Sequence, residues 1–151
     1  TIIIMLANFH LSLPCKDLKK TEEFYSNILE TKVGRSANNW IDWNLFGNQI
    51  TFTKSGDFNF SFKNYRLGEQ ILPSFHFGII VNIDDFGKLY GRILKLDIGV
   101  SITTMFMKSS IGEHVSFFIK DPNDYMIEFK CFKNGADVFK LQKESTRGII
   151  K

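Results

Sequence analysis

Two stretches of the sequence start with alternating polar and apolar residues and then change to a helical period. Alternation every second residue is typical of a strand that buries one face. After Asp17, and again after Asp84, apolar residues recur at three- and four-residue spacing, which predicts an amphipathic helix with the aspartate as its N-cap. The first predicted strand has an apolar face, Ala7, Phe9, Leu11 and Leu13, and a polar face, Asn8, His10 and Ser12.

The two stretches align with each other. His76 follows His10 by 66 positions and Leu94 follows Leu29 by 65, so a single one-residue gap brings the halves into register. Short strands are predicted after each helix, separated by turn signals around positions 47 and 122. The sequence therefore predicts a duplicated β-α-β-β-β module and an α+β fold. The strands predicted after the helices are residues 32–36, 39–46 and 48–54 in the first half and 100–107, 114–120 and 125–132 in the second.

The duplication also suggests the domain organisation. We expect the two modules to pair into one curved mixed sheet around a cleft. The connection between them is rich in phenylalanine, at positions 58, 60 and 62, and is expected to cover an apolar surface. The predicted boundaries are a single domain over 1–133, with module one 1–54, connection 55–74 and module two 75–133, followed by a C-terminal tail, 134–151, that has a helical turn around 138–141.

Composition narrows the function classes. A 151-residue chain that is 44% hydrophobic and 23% charged is not a disordered chain. Its net charge of +3 comes without a basic run, which argues against a nucleic-acid partner. The opening segment TIIIMLA is too short for a membrane span and is interpreted as the start of a strand. Cys15 and Cys131 lack CxxC spacing, so we expect reduced thiols in a cytoplasmic protein.

Alternation brings three potential metal ligands to the inner faces of the predicted modules. His10 and His76 alternate with the apolar residues that open each half, and Glu128 alternates with Ile127 and Phe129 in the last strand. Two neutral imidazoles and one carboxylate on rigid strands are typical of a divalent metal site with open positions. Each histidine taken singly also fits a hydrogen-bonded core residue, but the three together favour a metal.

Thr51 has the position in module one that Glu128 has in module two. Threonine is a poor ligand for such a metal, so three protein ligands are predicted rather than four, and Gln49 is the nearest substitute on the same face. His114 is predicted in a strand, either as a cleft acid/base or as a hydrogen-bonded structural histidine. Asp42 points either into the cavity or onto a solvated strand edge.

The order and spacing of these segments resemble the vicinal oxygen chelate superfamily, which contains glyoxalases, extradiol dioxygenases and bleomycin-resistance proteins. The likeness extends over nearly the whole chain to Lys133 and is strongest to small single-chain glyoxalase-like or dioxygenase-like members. It rests on the segments FHLSLPCKDL, FYSNILETKVGRS, WIDWNLFGNQIT, FHFGIIV, GEHVSFFIKDP and DYMIEFKCF.

The resemblance implies that His10, His76 and Glu128 bind a divalent metal, Fe(II) in the first place, with Mn, Ni or Zn as alternatives. Extradiol members use such a triad to hold Fe(II), which chelates a catecholate whose ring is opened with oxygen. The chain departs from glyoxalase I at Thr51, where that enzyme has a fourth ligand. It also differs from the drug-sequestering members, which lack the metal ligands that this sequence has.

The resemblance also suggests roles for residues around the metal. By residue type, His114 and Tyr125 are the candidate acid/base residues. Arg35, Gln49 and Thr51 are assigned to substrate binding, with Arg35 able to attract an anionic group; an ordinary surface arginine is the alternative.

We therefore expect a metal-dependent enzyme, an extradiol-type dioxygenase of a small, oxygen-chelating, catechol-like substrate. The alternatives are a glyoxalase-like lyase or isomerase, and a non-catalytic resistance protein that binds a drug. A homodimer is expected because pairing of modules across two chains is common in this superfamily, and neither a membrane nor a nucleic acid is an expected partner.

Overall fold

The computed structural model describes residues 7–141 and divides the chain into two compact units, the first ending at Asn59 and the second beginning at Phe60. Residues 1–6, interpreted above as a strand start, and residues 142–151 of the predicted tail lie outside the described residues. The strands of the first unit are β1 (His10–Cys15), β2 (Lys32–Ala37), β3 (Trp40–Leu45) and β4 (Asn48–Lys54). Those of the second unit are β5 (Tyr65–Leu67), β6 (Gln70–Leu72), β7 (Phe77–Ile80), β8 (Ile102–Phe106), β9 (His114–Lys120) and β10 (Met126–Phe132).

Each unit contains a four-stranded mixed sheet, and the two sheets have the same topology. The first has the order β1-β4-β3-β2 and the second β7-β10-β9-β8. In both, the opening strand pairs in parallel with the last strand of the module, whereas the other pairs are antiparallel. The predicted α+β class and the repeated β-α-β-β-β order are confirmed, and the strands predicted after the helices are correct to within two residues at each end.

The first unit buries its apolar residues between its helix and sheet. Helix α1 (Leu18–Glu23) continues as a π-helical segment, Phe24–Ile28, and the Asp17 side chain caps it by accepting from the amide of Lys20 at 2.9 Å. The N-cap predicted at Asp17 is therefore confirmed. The rings of Tyr25 and Phe52 lie 4.8 Å apart at the centre of this core. Their burial fixes the orientation of β4, so its alternate residues point to the opposite face.

The second helix begins earlier than predicted. In helix α2 (Ile83–Lys95) the N-cap is Asn82, whose Oδ1 accepts from the amide of Asp85 at 2.8 Å. The expectation that Asp84 caps this helix is wrong, because asparagine caps as well as aspartate does and Asn82 comes first in the chain. Asp84 lies instead in the first turn, where a carboxylate interacts favourably with the positive end of the helix dipole.

The cap position gives a direct test. Replacing Asn82 with alanine leaves the Asp85 amide without its acceptor and should lower the free energy of unfolding by about 1 kcal/mol. Asp84→Ala is the matched control and should cost about half of that or less, because it removes only a dipole interaction. Urea titration of both variants measures the difference; equal costs would contradict the assignment.

The connection predicted over 55–74 contains a β-hairpin. Strands β5 and β6 pair antiparallel. Gly68 lies in the turn between them with φ +60°, a backbone conformation that residues with a side chain adopt less readily. Among the predicted apolar covers, Phe60 packs on Tyr125 with ring centres 4.6 Å apart, whereas Phe62 is 62% exposed. Phe58 instead faces the ammonium of Lys16.

The chain ends its described part with a short helix. Gly135–Phe139 form a 3-10 turn, slightly before the turn expected around residues 138–141. Between residues 7 and 141, no helix has both the length and the hydropathy needed to cross a bilayer.

Candidate functional site

His76 and Glu128 lie side by side in the second unit. The Nε2 atom of His76 is 3.4 Å from Oε2 of Glu128. Glu128 lies in β10, as predicted, whereas His76 directly precedes β7 instead of lying inside a strand. Gly78 of β7 pairs with Glu128 in the strand register. A Cβ atom at Gly78 would overlap the carbonyl group of Glu128, so the close approach of the two strands requires glycine there.

The other ring nitrogen of His76 is already engaged. Nδ1 lies 2.9 Å from the carbonyl oxygen of Pro73. A carbonyl can only accept, so Nδ1 carries a proton and donates it to Pro73. In the neutral ring this leaves the lone pair on Nε2, directed toward the carboxylate side. A backbone carbonyl on the distal nitrogen is the arrangement that orients metal-binding histidines.

Glu128 is ionised at neutral pH. Burial opposes its charge, but a hydrogen bond from Nε2 of His76 in its imidazolium form, the nearby hydroxyl of Ser116 and the ammonium of Lys130 together lower its pKa to about 2. The Nζ atom of Lys130 is 3.3 Å from Oε2, the same oxygen that His76 approaches. The hydrogen bond to Glu128 raises the pKa of His76 in turn, against the effect of burial.

The donor types of this pair are those of a divalent metal site, since an imidazole nitrogen with a fixed tautomer lies 3.4 Å from an ionised carboxylate. Between residues 7 and 141, no group of three or more His, Cys, Asp or Glu side chains is arranged to hold a metal ion. His10, the third predicted ligand, is the first residue of β1 in the other unit and pairs in register with Gln49. The three-ligand site therefore stays a prediction. Two of its members, His76 and Glu128, are adjacent in the structure.

His114 lies on the same face of the second sheet as Glu128. The strand register puts Glu128 opposite Phe118, and His114, the first residue of β9, lies two alternate positions before Phe118. Its ring is packed between those of Phe106 and Phe132, each 4.9 Å away, and its Nδ1 donates to the carbonyl of Gly112 at 2.7 Å. Burial lowers the pKa of His114, so the ring is neutral at pH 7 and its Nε2 can accept a proton.

Tyr125 lies in an apolar cluster. Its side chain is 1% exposed and packs against Phe60 and Phe75. It occupies the strand face opposite to that of Glu128, because the two residues are an odd number of positions apart. Its backbone amide donates to Asp121 and closes the turn before β10. The structure thus separates Tyr125 from the His76 and Glu128 side chains.

The three residues assigned to substrate binding meet in the first unit around one carboxylate, that of Asp42. Oδ2 accepts from Arg35 Nη2 at 2.9 Å and from Gln49 Nε2 at 3.0 Å. Oδ1 accepts from the hydroxyl of Thr51 at 2.6 Å. Asp42 is 5% exposed, and the hydrogen bonds, that from Thr51 above all, lower its pKa against the effect of burial.

Asp42 is the residue whose importance the sequence pattern did not reveal. It pairs across the strands with Thr51, as Phe118 pairs with Glu128 in the second unit. The buried acid Asp42 of the first unit therefore lies on β3, whereas the buried acid Glu128 of the second unit lies on β10, the equivalent of β4. The available signal was Asp42 itself, an acidic residue inside the otherwise apolar run WIDWNL.

Asp42→Asn should lower the free energy of unfolding by about 1 kcal/mol at pH 7, because it removes the charge that binds Arg35. The pKa of Asp42 is depressed in the folded protein, so its contribution is complete above the unfolded value near 4 and disappears as the pH falls through the folded value. The gap between wild type and variant should close below pH 4. Asp57→Asn, at an exposed position, is the control and should change stability by less than about 0.5 kcal/mol. Urea titrations at pH 7, 4 and 3 measure both.

Solved structures with this fold come from several bacteria. A glyoxalase/bleomycin resistance protein/dioxygenase from Alicyclobacillus acidocaldarius is 26% identical with a TM-score of 0.74, covering 88% of this chain and 96% of its own. The fosfomycin resistance protein FosX from Listeria monocytogenes is 16% identical with a TM-score of 0.62, covering 90% and 98%. A glyoxalase family protein from Bacillus anthracis is 15% identical with a TM-score of 0.62, covering 88% and 100%. No protein-family model and no curated protein matches the sequence.

Proposed function

From its place among proteins with the vicinal oxygen chelate fold, we propose that this chain is a metal-dependent enzyme, an extradiol-type dioxygenase of a small catechol-like substrate. The proposed ligands are His76 and Glu128 with His10 as the third, and the proposed metal is Fe(II). Mn, Ni or Zn on the same ligands would correspond to the alternative, a glyoxalase-like lyase or isomerase.

The observation that carries the proposal is the pair formed by His76 and Glu128. Packing alone does not explain a buried carboxylate 3.4 Å from an imidazole nitrogen whose partner nitrogen donates to a backbone carbonyl. Buried charges are retained where they are paired or bind metals. Here the paired groups also have the chemistry of metal ligands; Glu128 lies in β10, and His76 directly precedes β7, the strand that pairs with β10.

The surrounding residues have separable tasks. A metal bound here would orient a chelating substrate beside oxygen and stabilise the charge that develops on it. Neutral His114, on the same sheet face, is the proposed base because its Nε2 can accept a proton from a substrate hydroxyl. The buried ring of Tyr125 supports a packing role for that residue. In the first unit, Asp42 holds the side chains of Arg35, Gln49 and Thr51, the proposed substrate-binding residues, in fixed orientations.

Metal analysis after anaerobic loading tests the proposal. Wild type should retain about one equivalent of Fe(II), whereas His10→Ala, His76→Ala and Glu128→Gln should each lower the affinity by at least about 100-fold. His114→Ala is the matched histidine control and should keep the metal. Equal metal content in wild type and the three ligand variants would overturn the metal site.

Oxygen consumption distinguishes the reaction classes. Iron-loaded wild type should consume oxygen with at least one member of a catechol panel, and His114→Ala should slow turnover by about 100-fold while the metal content is unchanged. Metal uptake without any oxygen consumption would reject the dioxygenase and favour the lyase. An absence of metal uptake with tight binding of an aromatic drug would favour the resistance protein.

We also propose a cytoplasmic location and a homodimer. Cys15 and Cys131 are both buried and form no disulfide, which supports a reducing compartment such as the cytoplasm. A cavity of about 710 Å³ in the second unit has exposed apolar side chains at its rim, which supports the expected homodimer. These rim residues are Ile80, Ile83 and Met105. Sedimentation velocity at several protein concentrations measures the assembly.

A further inference from the structure

Lys130 has an unusual position for a lysine. It lies on β10, two residues after Glu128 and on the same face, and its side chain is only 26% exposed. Its ammonium approaches the carboxylate oxygen that His76 also approaches. A divalent metal on Glu128 would take over the charge of that carboxylate. The half-buried ammonium would then be without its counter-charge, which is costly unless another anion replaces it.

A row of polar donors extends from Lys130 across the sheet. The strand register pairs Lys130 with Ser116 of β9, and Ser116 with Thr104 of β8. Directly paired residues on neighbouring strands share a face and have Cβ atoms about 5 Å apart, so a lysine and two hydroxyl-bearing residues occupy neighbouring positions on this face. On the far side of Lys130 the row ends with Ile80 of β7, an apolar residue.

Ser116 provides independent evidence that the row has a ligand. The residue is completely buried, and its hydroxyl, although near the Glu128 carboxylate, makes no hydrogen bond of standard geometry to any of the described residues. Buried polar atoms without a partner are rare, because each costs about 1–3 kcal/mol. A hydroxyl next to an ammonium can donate to the same oxyanion, which would remove this cost.

We propose that Lys130, Ser116 and Thr104 form an anion-binding row beside the metal ligands, and that the substrate carries an anionic group such as a carboxylate. This inference rests on the proposed function for its metal and names the substrate class for that site. The metal would hold the chelating oxygens, while the row would hold the charged substituent. Lys130 is thus a specificity-determining residue that becomes available when Glu128 is neutralised.

The charge of Glu128 provides a test that needs no metal. In the metal-free wild type, Lys130 is paired with Glu128, so inorganic phosphate should bind weakly. Glu128→Gln removes the competing charge and should tighten phosphate binding by at least about 10-fold at low ionic strength, as measured by calorimetry and by NMR shifts. Adding Lys130→Met to Glu128→Gln should abolish the gain, whereas adding Lys120→Met, at an exposed end of β9, should preserve it. A gain that survives Lys130→Met, or no gain in a folded Glu128→Gln protein, would overturn the proposal.

Zinc-loaded wild type provides the second arm. It should bind 3,4-dihydroxybenzoate at least about 10-fold more tightly than catechol, and Lys130→Met should remove the preference without loss of zinc. Ser116→Ala should weaken the preference in part, because it removes one donor. Failure to load zinc together with a phosphate gain in Glu128→Gln would reject the proposed function and support the anion row. Zinc loading without any preference for the acid would reject the row and leave the metal site supported.

Discussion

Gly78→Ala should strongly destabilise the second unit, with a loss of at least about 3 kcal/mol in the free energy of unfolding. The added methyl group would overlap the carbonyl group of Glu128. That carbonyl belongs to the backbone, so it cannot move aside as a flexible side chain could. Strands β7 and β10 would have to separate. Because His76 and Glu128 are held on these two chain segments, the variant should also lose metal affinity even where it remains folded.

Two glycines of helix α2 provide the control. A methyl group at Gly87 or Gly91 would meet no atom within 4 Å. Alanine has the higher helix propensity, so Gly87→Ala and Gly91→Ala should stabilise the protein by roughly 0.5–1 kcal/mol. Urea titration of the three variants measures the contrast. A loss below about 1 kcal/mol for Gly78→Ala would show that β7 and β10 do not approach as closely as the structure indicates.

The module architecture was accessible from the sequence because each element carries its own local signal. Alternation defined the strands, and Asp17 marked the start of α1. Where two residues could perform the same local task, as Asn82 and Asp84 could at α2, the pattern did not decide between them, since both types cap helices well. The hairpin formed by Tyr65–Leu67 and Gln70–Leu72 was missed, because strands of three residues are too short to show a period.

The candidate site was accessible only in part, for a physical reason. Alternation tells which face a residue occupies, so His10, His76 and Glu128 were expected on the inner faces of the modules, but it does not give distances between side chains. The side-chain positions in the structure give those distances, and they show that Glu128 and His76 form a pair and that Asp42 binds both Arg35 and Thr51. Tyr125 was selected by residue type without a face constraint, and the structure places it in an apolar cluster.

Glu128→Gln in the metal-free protein should lower the free energy of unfolding by about 2 kcal/mol at neutral pH. The pKa of Glu128 falls to about 2 on folding, so its contribution is complete above the unfolded value near 4.5 and is lost as the pH drops toward 2. The pKa of His76 is raised on folding, so its contribution is complete below the unfolded value near 6.5 and is lost as the pH rises through the folded value.

The stability gap between wild type and Glu128→Gln should therefore be largest between about pH 5 and 6.5, where the carboxylate and the imidazolium are both charged. It should shrink toward pH 2, because the carboxyl group is then protonated in both states. It should also decrease moderately as the pH rises through the folded pKa of His76, because only Lys130 and the remaining hydrogen bonds then favour the charge. Glu22→Gln, at an exposed position on α1, is the control and should change stability by less than about 0.5 kcal/mol throughout. Urea titrations from pH 2.5 to 8.5 measure both gaps, and a Glu128→Gln gap that does not vary with pH would mean that the two side chains do not interact in solution.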